Sequence, residues 1–104
     1  MSLMKESFII IIEQELIGEN SIPCKLRNEH FFDRIAFERL INSIKEAIDF
    51  YQNQDNIPKK LALCFVDISN FFFVDSNYFL ESEIEEIENA GMKLSELANK
   101  LFDD

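Results

Sequence analysis

Glycine is nearly missing from this chain: Gly18 and Gly91 are the only two in 104 residues. That scarcity excludes the glycine-rich loops that cradle phosphates and dinucleotides, and the G-x-S-x-G elbow of hydrolases. Proline is equally scarce, with Pro23 and Pro58 alone, so regular elements with short connections are expected. Tryptophan is absent and histidine occurs once, as His30. Two cysteines, Cys24 and Cys64, make no disulfide framework. A structural zinc site takes about four ligands, and Cys24 with His30 supplies two. Nor does their spacing define a nucleophile with its base, which must meet in space. No apolar run approaches the ~20 residues that span a bilayer. The run at residues 8–12 stops at Glu13 and lacks the pattern of a signal peptide. The expectations are no catalytic residue, no metal, no cofactor, no enzyme activity, no membrane contact and a cytoplasmic location.

Positive charge is the other deficit. Ten Lys and Arg face 20 Asp and Glu, for a net charge of −10. Nucleic acid is disfavoured as a partner, because its phosphates demand a basic face. Residues 75–104 hold nine acids and two lysines, −7 of that total. The densest run is Glu81, Glu83, Glu85, Glu86 and Glu88. A solvated helix face is the plainer account of such a run. The functional account is an acidic patch that docks a basic protein and speeds its approach. Glu81 and Glu85 are a like-charge i,i+4 pair, which weakens a helix slightly and so hints at a partner.

What the chain does have is apolar residues, 47% of it, with eleven Phe among them. That is enough for one globular domain with a phenylalanine-rich core. Met1-Ser2-Leu3 precede a second start at Met4 and are set apart as a leader. Residues 61–74, LALCFVDISNFFFV, form the longest nearly uncharged apolar stretch. Continuous apolar runs of this length suit strands buried on both faces, so a β-hairpin turning at Ser69-Asn70 is expected. Residues 8–12 read as a further buried strand, and 22–27, after a turn at 18–21, as a short edge strand bearing Pro23. Residues 31–52 are the clearest helix. Phe37, Leu40, Ile41, Ile44, Ile48 and Tyr51 recur at helical spacing, with Asn28 as the expected N-cap. Residues 82–102 carry a second apolar stripe, expected as two helical pieces broken near Gly91, with a capping box at Ser82. Asp67, Ser69, Asn70 and Asp75 suggest an oxygen-rich metal loop, but turn chemistry explains them and the calcium-loop pattern is not met.

The expected fold is α+β: an antiparallel sheet of three to four strands with two helical segments, in the order β-β-α-β-β-α. The expected function is a small acidic protein-binding module, in its most specific form an immunity- or antitoxin-type inhibitor of a basic protein. The alternative is a homo-oligomeric structural protein, whose dimer surface would carry Phe71, Phe72 and Phe73 on the uncovered face of the sheet.

Overall fold

Asp33 ends an irregular stretch and starts the central helix. Its Oδ1 accepts the Ala36 N–H at 3.0 Å, satisfying one of the donors a helix leaves open at its start. The computed structural model describes residues 2–66, 68, 72, 74 and 76–103. Among them every element is helical: α1 (Ser2–Ile17), α2 (Ile22–Asn28), α3 (Arg34–Tyr51), α4 (Lys59–Leu63), one 3-10 turn (Ser76–Tyr78) and α5 (Glu81–Phe102). The expected α+β fold is therefore overturned, since the described residues contain no strand and no sheet.

Two apolar runs account for the error. In a strand, Ile10 and Ile12 would share a face. In α1 they part: Ile12 is fully buried and Ile10 is 49% exposed. Phe8, Ile12 and Leu16 are all buried, one turn apart on one side of a helix. The intervening isoleucines hid that spacing by making the run apolar all round. Ser2 and Leu3, set apart in the sequence, belong to α1. The same correction applies at 61–74. Leu61 is fully buried while Leu63 is 65% exposed. Leu61, Cys64, Phe65 and Ile68 follow an i, i+3, i+4, i+7 pattern and pack into the core or against it. After α4 the backbone keeps curling, with Phe65 N–H to Ala62 O at 3.1 Å and Ile68 N–H to Phe65 O at 3.4 Å. The expected turn at Ser69-Asn70, with Phe71 and Phe73, lies outside the described residues.

The expected edge strand is α2. The turn at 18–21 is present, closed by Ser21 N–H to Gly18 O at 3.2 Å. Ser21 then caps α2 by accepting the Cys24 N–H at 3.3 Å. Pro23 stands in the first turn of the helix, where its missing N–H costs nothing. The α3 boundary also moves. Asn28 closes α2 instead of capping α3, and His30 takes a left-handed conformation at φ 53°, which interrupts any helix from residue 28 onward.

Finally, α5 is one helix, not two pieces. Ala90, buried, fills the place in the stripe between Ile87 and Leu94. Its cap lies at Leu80, whose N–H donates to Glu83 Oε1 at 2.8 Å, so Glu83 rather than Glu85 closes the first turn. Gly91 is not a stop but a contact: a Cβ there would meet Phe72 Cβ at 3.2 Å. The missing side chain lets the connecting segment lie against the helix.

The long helices pack on α3. α1 runs antiparallel to it, since Phe8 meets Phe50 and Tyr51 while Glu15 meets Arg39. α5 runs parallel to it, with Arg34 on Glu86 at one end and a crevice shared by Tyr51 and Leu101 at the other. α4 tucks against α1, and Phe65 packs its ring on Phe102 at 5.5 Å. The body measures 45 × 25 × 19 Å. No helix of the described residues is long and apolar enough to cross a membrane.

Candidate acidic face of the last helix

The five expected acids all lie in the first half of α5, but they divide by task. Glu83 is taken up by the Leu80 N–H. Glu86 grips Arg34 with both oxygens, Nε to Oε2 at 2.5 Å and an Nη to Oε1 at 2.6 Å. That two-point contact is the geometry guanidinium and carboxylate favour. The Arg34 hydrogen bond holds the Glu86 carboxyl below the usual carboxylate range, and the Arg34 guanidinium is raised in turn by Glu86. Glu38 stands one turn along α3 from Arg34, yet Arg34 bridges instead to another helix, 52 residues away.

Glu81, Glu85 and Glu88 remain. All three are exposed, and their i, i+4, i+7 spacing puts them on one face of α5. With Ser82 and Ile84 they line a shallow depression of about 350 Å³. Among the described residues no cation pairs with any of the three. Further along the same face, Met92 is exposed and Glu96 receives Lys93 at a loose 3.6 Å.

Of the aromatic group, Phe72 is buried against Phe32 and Phe37, with ring centroids at 6.5 and 6.1 Å. Phe71 and Phe73 lie outside the described residues, as do Asp67, Ser69, Asn70 and Asp75 of the expected oxygen-rich loop. His30 stacks on the Tyr78 ring at 3.9 Å, nearly parallel. Cys24 is occupied elsewhere, its thiol directed at the Gly18 carbonyl at 3.5 Å. Cys64 is buried, donates to the Lys60 carbonyl at 3.3 Å, and burial pushes its thiol up to about 11. Among the described residues no three His, Cys, Asp or Glu side chains are grouped to hold a metal.

Sequence reasoning missed one buried carboxylate. Glu15 is 6% exposed and accepts from an Arg39 Nη at 2.7 Å. Its signal was present: in a helical reading, Glu15 follows Phe8 and Ile12 at i+7 and i+3, on the inward face. It also missed the Lys25–Asp33 pair at 2.7 Å, which joins α2 to the cap of α3. Comparison with known proteins found no matching family model, no matching curated protein and no matching solved structure.

Proposed function

We propose that this chain is a non-enzymatic module that binds a basic protein, and that α5 supplies the contact. The observation that carries the reading is the set of three exposed carboxylates, Glu81, Glu85 and Glu88, aligned on one face with no cation paired to them among the described residues. Like charges one turn apart cost a helix a few tenths of a kcal/mol each. A partner that brings lysines or arginines offsets that cost on binding. The net charge of −10 acts at longer range, raising the encounter rate with a basic surface. An immunity- or antitoxin-type inhibitor, sitting over the basic site of a toxic enzyme, is the specific form this chemistry suits, and a cytoplasmic setting fits it. The homo-oligomer alternative drew its motive from an uncovered sheet face, and that motive is gone.

Affinity capture in an extract of the native host tests the reading. The wild-type chain should retain a basic protein that salt releases. The triple variant Glu81→Lys, Glu85→Lys, Glu88→Lys should retain at least tenfold less, and its helical circular dichroism should be unchanged. Equal retention by both chains, insensitive to salt, would sink the proposal.

A further inference from the structure

An open groove of about 610 Å³ runs along α5 beside the acidic face. Its floor is apolar, made by Ile68, Phe72 and Val74 from the connecting segment and by Met92 from α5. Its rim carries Glu88 and Glu96. Gly91 keeps the helix side open: a Cβ there would meet Phe72 Cβ at 3.2 Å. The groove follows α5 from Glu88 to Asn99, about three helical turns or ~16 Å. Glu81 and Glu85 continue the acidic line beyond its end.

We infer that this groove seats a basic amphipathic segment of a protein partner, its apolar side chains on Ile68, Phe72, Val74 and Met92 and its lysines or arginines against Glu88 and Glu96. The inference rests on the basic-partner reading above and adds where the partner sits and what it must carry besides charge. A groove of this length accepts residues at i, i+3/i+4 and i+7 of a helix, the usual way one helix lies in another surface's channel. Charge selects the occupant. A second copy of the chain brings the same −10 and is repelled. Charge alone does not fill the groove either, because an oligolysine leaves its apolar floor wet.

Two labelled peptides of identical leucine and lysine composition provide the test. In one the leucines recur at helical spacing; in the other the order is scrambled. Fluorescence anisotropy should show the ordered peptide binding the wild-type chain at least ~10-fold tighter, the effect of burying one or two apolar side chains. Met92→Lys is placed at an exposed position and leaves the core intact. It should abolish the preference for the ordered peptide. Glu88→Lys with Glu96→Lys should weaken both peptides. If wild type binds the two peptides equally, or Met92→Lys leaves the preference intact, the groove is not the seat, while salt-sensitive binding of both would still uphold the acidic face. If neither peptide binds, both readings fall. A dimer seen by light scattering that Met92→Lys dissolves would assign the groove to a second copy and overturn the inference.

Discussion

α1 and α5 close on α3 in different ways. The α1–α3 seam is complete in itself. Phe8 packs on Phe50 and Tyr51 near one end, the small Ser43 is buried in α3, and Glu15 meets Arg39 toward the other. The α3–α5 seam needs a third party. Phe72, from the segment before α5, fills the space beside Phe32, Phe37 and Gly91. Its ion pair, Arg34–Glu86, stays on the surface, with side chains 59% and 40% exposed. One seam is held by two elements; the other depends on a connection threaded into place. Stability should therefore be concentrated on the α1 side, and adaptability on the side that faces the groove.

The sharpest way to break this comparison is to remove buried methyls beneath the connection. Leu61→Ala should cost about 2–5 kcal/mol in urea unfolding, and Leu63→Ala less than about 1 kcal/mol, because Leu61 is fully buried and Leu63 is 65% exposed. A strand at 61–66 would put both leucines on one face and bring the two costs together. Next comes the buried carboxylate. Arg39→Ala leaves the buried Glu15 carboxylate without its hydrogen-bonding partner and should cost roughly 1–3 kcal/mol, below the full penalty for a broken buried pair because Arg39 itself is 58% exposed. Arg34→Ala should change the unfolding midpoint far less, since both partners there reach water.

Asp33→Ala should follow, at about 1 kcal/mol at neutral pH for the lost cap. The Lys25 hydrogen bond, helped by the Ala36 N–H, holds the Asp33 carboxyl below its ordinary value. Its contribution is therefore complete above the unfolded carboxylate range, about pH 4, and is lost as pH falls through the lower folded value. The difference between wild type and Asp33→Ala should shrink across that acid window in pH-dependent melts. Lys25, raised chiefly by the same hydrogen bond, works in the opposite sense: its share is full below about pH 10 and lost above. The smallest effect is expected at Gly91→Ala. Helix propensity gains about 1 kcal/mol, while the new Cβ presses Phe72. With a side-chain atom at 3.2 Å, the two should nearly cancel. A large loss would mean that Phe72 cannot retreat and that the second seam is as rigid as the first.

The two amphipathic helices were readable because polar residues mark their outer faces. All six apolar positions named in α3 are buried or packed against the core, and the α5 stripe buries Ile87, Ala90, Leu94, Leu97 and Leu101. α1 and α4 were not readable by periodicity, since Ile9, Ile10 and Ile11 mask the Phe8–Ile12 step and Leu63 masks the Leu61–Cys64 step. A short apolar run is ambiguous in that way until length arbitrates. Length did favour a helix, as the α1 pattern continues to Leu16. The caps slipped for a related reason. Asn28 looks as good a cap as Asp33, and only the left-handed turn at His30 decides between them. At the candidate site, the acidic run was plain, but its division of labour was not. Which glutamates remain for a partner depends on Arg34 arriving from another helix.

The buried thiol of Cys64 makes the end of α4 its own reporter of opening. Closed, the thiol is sealed and largely protonated, so thiol reagents cannot reach the form that reacts. Alkylation of Cys64, followed apart from the half-exposed Cys24, then reports the excursions in which α4 leaves its berth against α1.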